Sequence, residues 1–114
     1  MKLYHADQQR FIINNLEIAT NVRSRTRGLI GHAPLEPGQA LMIPQSRWIH
    51  TFGMSFTIDA VYVDKKWHIV ALTENLLPGR IDRPVLRAQA VIEMAAGEIR
   101  RLGLKVGDHL ELRP

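Results

Sequence analysis

The sequence predicts a mainly β protein of one domain, and three observations carry that reading. Turn-forming residues recur at short intervals, at Asn14-Asn15, Pro34 to Gly38, Pro44, Gly53, Asp64-Lys65-Lys66, Pro78-Gly79, Pro84, Gly97, Gly103 and Gly107-Asp108. Between them lie runs short enough to be strands, several of which alternate apolar and polar residues, the period of a strand with one buried face. The chain has 114 residues, of which 46% are hydrophobic and 23% charged. That length supports one core, residues 1–114, burying about two-thirds of the unfolded surface.

Taken in order, the runs predict strands at Lys2–His5, Arg10–Ile13, Leu16–Thr20, Gln39–Ile43, Arg47–Phe52, Phe56–Val63, Trp67–Leu76, Leu86–Met94 and Leu110–Leu112. Asn14-Asn15 fits a tight hairpin, because asparagine tolerates positive φ. Two segments break the pattern. From Asn21 to about Ile30, Val22, Thr26, Leu29 and Ile30 fall on one helical face, with Thr20 or Asn21 as a side-chain cap. A second, shorter helix is expected at Ala96–Leu102, ended by Gly103.

The run WIHTFGMSFTID, Trp48 to Asp59, continues to Val63. As one straight strand, residues 48–63 would span about 50 Å at about 3.3 Å per residue, too long for a domain of this size. A corner at Gly53 is therefore expected. The first half then points Trp48, His50 and Phe52 to one side. In the second half, Phe56, Ile58, Ala60 and Tyr62 oppose Thr57, Asp59, Val61 and Val63. In the 86–94 run, Leu86, Ala88, Ala90, Ile92 and Met94 oppose Arg87, Gln89, Val91 and Glu93.

Composition closes several chemistries. The chain has no cysteine, which excludes disulfides, thiol nucleophiles, thiolate metal sites and Fe–S clusters. The histidines, His5, His32, His50, His68 and His109, show no ligand spacing, and no HExxH, Gly-rich phosphate loop or nucleophile elbow is present. No metal or cofactor is expected. No segment approaches the roughly 18 apolar residues of a membrane span, and MKLYHADQQR lacks the features of a signal peptide. The expectation is a cytoplasmic protein without a membrane partner.

The net charge is +4, with eleven arginines and four lysines. Arginine reads carboxylates and phosphates in bidentate fashion, so an anionic partner is considered. The arginines are scattered, and aromatic residues are only 6%, which disfavours a nucleic-acid platform.

Within the apolar runs a few polar groups stand out. His50 travels with aromatic residues, and as a half-buried imidazole it needs a hydrogen-bond partner. Asp59 fits a capping or pairing role. Glu93 sits between apolar neighbours, with Arg27 a candidate partner.

The ordered set of Ala19-Thr20, Arg25-x-Arg27-Gly28-Leu29-Ile30-Gly31, Ala40-Leu41-Met42-Ile43-Pro44, Ile49-His50-Thr51-Phe52-Gly53-Met54-x-Phe56-x-Ile58-Asp59, Val91-Ile92-Glu93-Met94-x-Ala96-Gly97 and Gly107-Asp108 resembles the DUF192 (UPF0127) family. The resemblance runs from about Ile18 to Leu112. It implies a compact, sandwich-like or partly closed barrel with one helix near its start. It implies little about activity, since the family has no established biochemical function. Many members read FWMKNT where this chain reads IHTFGM, so no role of that motif carries onto His50–Met54.

Two functions are expected. The first is a small binding module for a small or anionic ligand or a protein partner, with Arg27, His50, Thr51, Asp59 and Glu93 lining a pocket. The alternative is an enzyme in which His50 works with Asp59 and Glu93 as acid–base or metal-binding groups. Catalytic residues and oligomeric state are left open.

Overall fold

A computed structural model describes residues 1–20, 29 and 32–114. Among the described residues, eight strands form two sheets and one short helix packs against them. The small sheet is antiparallel, with β1 (Lys2–His5) between β2 (Arg10–Ile13) and β8 (Leu110–Arg113). The large sheet contains β3 (Asn15–Ile18), β4 (Gln39–Pro44), β5 (Ile58–Val63), β6 (Ile69–Leu76) and β7 (Ala90–Ala95) in the order β3-β4-β7-β5-β6. Its pairs are antiparallel except β3 with β4. A parallel pair needs a crossover of a dozen or more residues, and the 19–38 connection supplies it. Helix α1 (Glu98–Leu102) follows β7 and ends at Gly103, whose φ of 64° suits the left-handed cap.

β5 and β7 lie inside the large sheet, and every residue of both is buried. Their near-continuous apolar sequences follow from having both faces covered. One face, with Val61, Val63, Ala90, Ile92 and Met94, packs against Leu3, Ile13 and Leu110 of the small sheet and Ile99 and Leu102 of α1. The other, with Ile58, Ala60, Tyr62 and Val91, packs under Leu29, Ile49, Met54 and Ala88. The alternation read from the sequence is thus correct for both strands, and each row has its own core.

The mainly β class and the short helix after position 96 hold. The architecture is two packed sheets and not a closed barrel. The helix expected over 21–30 falls outside the described residues, and the one described helix lies near the C-terminus.

Three strand expectations are corrected. Asn14-Asn15 is not a hairpin, because β2 pairs with β1 and β3 pairs with β4. The chain instead changes sheets there, with both asparagine N–H groups donating to Gly38 O at 3.2 Å. Residues 47–52 join neither sheet and pair with the 80–85 segment. Residues 86–89 turn before β7 starts at Ala90, with Ala88 N–H donating to Val85 O at 3.0 Å. The Gly53 corner is present: Gly53 has φ of 80°, and Met54 N–H closes a turn onto Thr51 O at 3.2 Å.

Candidate binding surface

Asp59 and Glu93 come from neighbouring central strands but leave the sheet on opposite faces, since Asp59 is registered with Met94 and Ala60 with Glu93. Asp59 points toward α1. Its Oδ2 accepts Gly97 N–H at 3.1 Å and Ile99 N–H at 2.9 Å, and its Oδ1 accepts Asn75 N–H at 2.9 Å. The first turn of a helix has free N–H donors that need acceptors. Gly97, the N-cap residue before α1, has no side chain to supply one, so a carboxylate from β5 does so. Asn75 has φ of 54°, and Asp59 fixes that irregular backbone too. With three backbone donors on two oxygens, Asp59 is architectural.

Glu93 is 2% exposed, and its Oε2 has no hydrogen-bond partner among the described residues. Burial disfavours the charged form, which pushes its pKa up to about 8. Its cross-strand neighbours on that face are Leu41 and Ala60. The partner suggested from sequence, Arg27, lies outside the described residues.

His50 and Thr51 occupy the segment before the Gly53 corner. This segment runs antiparallel to residues 79–85 through Thr51 N–H to Arg80 O at 2.8 Å, Asp82 N–H to Ile49 O at 3.0 Å and Val85 N–H to Arg47 O at 2.7 Å. His50 and Ile81 face each other in a β-bridge. The side chains alternate. Ile49 and Thr51 point inward, Ile49 into the core and Thr51 onto Leu77 O through its Oγ1 at 2.6 Å. Trp48, His50 and Phe52 point outward together, with ring centroids 6.2 Å apart for Trp48–His50 and 5.2 Å for the stacked His50–Phe52 pair. His50 Nδ1 accepts Phe52 N–H at 3.2 Å, so the imidazole is satisfied by its own turn and not by a carboxylate.

Asp82, which the sequence reading missed, pins the ribbon to the large sheet. Its Oδ2 accepts Tyr62 O–H and Thr73 O–H, each at 2.7 Å, and its Oδ1 accepts Arg83 N–H and Nη1. Burial raises its pKa, but these hydrogen bonds and the Arg83 charge outweigh burial, so the net direction is down. The same contact, after burial, holds the Tyr62 phenol above its usual value. The signal for Asp82 in the sequence was Arg80-Ile81-Asp82-Arg83, a carboxylate flanked by cations.

Beside the ribbon a cleft of about 450 Å³ is lined by Gln45, Ser46, Arg47, Trp48, Ala88 and Gln89. Arg47 is exposed at its edge and makes no ion pair with a described carboxylate. A His5, Asp7 and Asp108 group also lies close together. His5 Nε2 meets Asp108 Oδ2 at 2.9 Å, His5 Nδ1 accepts Gln8 N–H at 3.1 Å, and Asp7 accepts His109 N–H at 2.8 Å. Both ring nitrogens are therefore in use, and the group ties the β1 turn to the start of β8.

A family profile for DUF192, described as Uncharacterized ACR, matches residues 3–112. The chain belongs to the DUF192 family. No curated protein matches this DUF192 chain. Two solved structures share its fold. One, from Sinorhizobium meliloti and described as a putative transcription regulator, is 24% identical, with a TM-score of 0.79 over 96% of this chain and 89% of that one. The other, a protein of unknown function from Novosphingobium aromaticivorans, is 18% identical, with a TM-score of 0.82 over 97% and 82%. At these identities the DUF192 fold is shared and nothing more is implied.

Proposed function

We propose that this DUF192 protein is a small binding module for an anionic ligand, which it takes at the cleft edged by Arg47 and Trp48. The observation that carries the reading is how its polar groups are used. Asp59, Asp82, Thr51 and His5 are each consumed by named backbone or side-chain partners, whereas Arg47 stands exposed with no described counter-ion at a concave site of ligand size. A guanidinium presents a fixed fork of donors suited to carboxylate or phosphate. The aromatic wall of Trp48 and the amide of Gln89 supply further recognition. Acid–base catalysis by His50 with Asp59 gains no support, because Asp59 is held on the helix side of the large sheet.

The test is a titration of ¹⁵N-labelled protein with inorganic phosphate and with succinate. Shifts concentrated at the Arg47 side chain, the Trp48 indole and the Gln89 amide are expected, and Arg47→Gln should abolish them. Shifts spread over all exposed arginines, or unchanged by Arg47→Gln, would remove the reading.

A further inference from the structure

We infer that the outward face of the 47–52 and 77–87 ribbon is a docking surface for an acidic, extended segment of a protein partner. The inference goes beyond the anion cleft: it shares Arg47 and Trp48 with it but stands on the ring ladder and Arg80. Trp48 is 49% exposed, Phe52 48%, Leu77 50%, Ile81 61% and Leu86 77%. Five of the eight large apolar side chains exposed among the described residues thus fall on two hydrogen-bonded segments. A clustered apolar surface of this kind marks an interaction site, whereas single exposed residues do not.

Charge selects the occupant. The same segments carry Arg47, Arg80, Arg83 and Arg87, all exposed, and a single carboxylate, Asp82, which is buried and already shared among Tyr62, Thr73 and Arg83. An acidic partner meets complementary charge. A second copy of this basic face would meet its own sign. Single-stranded nucleic acid fits less well: the His50 and Phe52 rings are stacked at 5.2 Å, while a base between them needs roughly 7 Å, two steps of about 3.4 Å. Leu77, Ile81 and Leu86 also offer no stacking face. A lipid surface would not fill a cleft, whereas a side chain of a bound peptide can enter the one beside Trp48.

Three probes and one control test the surface: a short labelled peptide alternating Glu with Phe and Leu, the same peptide with Lys for Glu, phosphatidylglycerol vesicles and oligothymidylate. The Glu peptide should shift Trp48, His50, Phe52 and Ile81, weaken with added salt, and lose about tenfold or more in affinity with Trp48→Ala combined with Phe52→Ala and again with Arg80→Glu. Dispersed NMR spectra confirm that these surface variants fold. Absence of shifts on the ladder, equal binding of the Lys peptide, or tighter binding of vesicles or oligothymidylate would overturn the inference. If phosphate or succinate binds at Arg47 and the Glu peptide leaves the ladder unmoved, the cleft reading stands and the docking surface falls. If the Glu peptide shifts the ladder while the cleft is silent to both anions, the docking surface stands and the cleft reading falls.

Discussion

Replacing Glu93 with glutamine should reverse sign in its effect on stability across the neutral range. In the folded protein the carboxyl has a pKa of about 8, against an ordinary 4.5. The native state therefore holds a proton that the unfolded chain releases, and stability falls as pH rises between those values. The contribution is fully present below about pH 4.5 and is lost as pH rises through about 8. The slope is about 1.4 kcal/mol per pH unit, and the gap amounts to about 5 kcal/mol in all, of which about 3 kcal/mol is already lost at pH 7.

Glutamine keeps the shape without the titration. Its amide, however, enters a site where the carboxyl has no described partner for Oε2, and an unsatisfied buried amide costs about 1–3 kcal/mol. Urea unfolding followed by tryptophan fluorescence at intervals from pH 4.5 to 8.5 should then give curves that cross. The variant should be less stable at the acid end and more stable, by about 2–4 kcal/mol, at the alkaline end. Titrations of groups distant from Glu93 cancel in the difference. Parallel curves, or a variant less stable than the parent at pH 8.5, would refute a neutral buried carboxyl at this position.

Two other carboxylates should behave as anchors. Asp59→Ala leaves the N–H groups of Gly97, Ile99 and Asn75 without their acceptor and should cost about 3–5 kcal/mol in urea unfolding, with amide exchange in α1 and at Asn75 accelerating more than in the small sheet. Asp82→Ala strips Tyr62 and Thr73 of their acceptor and should cost about 2–4 kcal/mol. Because the native pKa of Asp82 is depressed, its stabilisation is present above the ordinary carboxylate value and is lost as pH falls through the lower native one. The variant should therefore show a shallower acid loss than the parent, together with faster proteolysis within residues 77–87.

Much of this fold was legible in one sequence because its signals were local. The two-residue period of side-chain direction along Ile58–Val63 and Ala90–Met94 assigned faces that the two cores confirm. Gly53 marked the corner because the apolar run was too long for the domain. The errors came where local chemistry fits two topologies. Asn14-Asn15 suits a tight hairpin, but it also suits a change of sheet in which both amides find one carbonyl, that of Gly38. Arg47–Phe52 alternates as a strand does, and it has strand-like pairing on one edge only, because its neighbour is a loop held by Asp82. Pro78-Gly79 and Pro84 mark that neighbour as a loop, but nothing in the 47–52 run itself shows that a loop is what it pairs with.

The polar candidates divide for the same reason. Sequence could say that Asp59 and Glu93 interrupt apolar strands, but the face each took depended on register, and one step of register separates a capping carboxylate from an orphaned acid. In Asp59 the backbone donors of α1 and Asn75 meet the charge, so burial becomes structural. In Glu93 no described donor meets it, so burial becomes protonation. His50 alternates with Ile49 and Thr51, and once those two fill the interior the imidazole must join Trp48 and Phe52 on the outside. The alternation that put Trp48, His50 and Phe52 on one side thus yields a ring ladder at the surface, with exposed Trp48 and Phe52 flanking a half-buried His50 that faces Ile81.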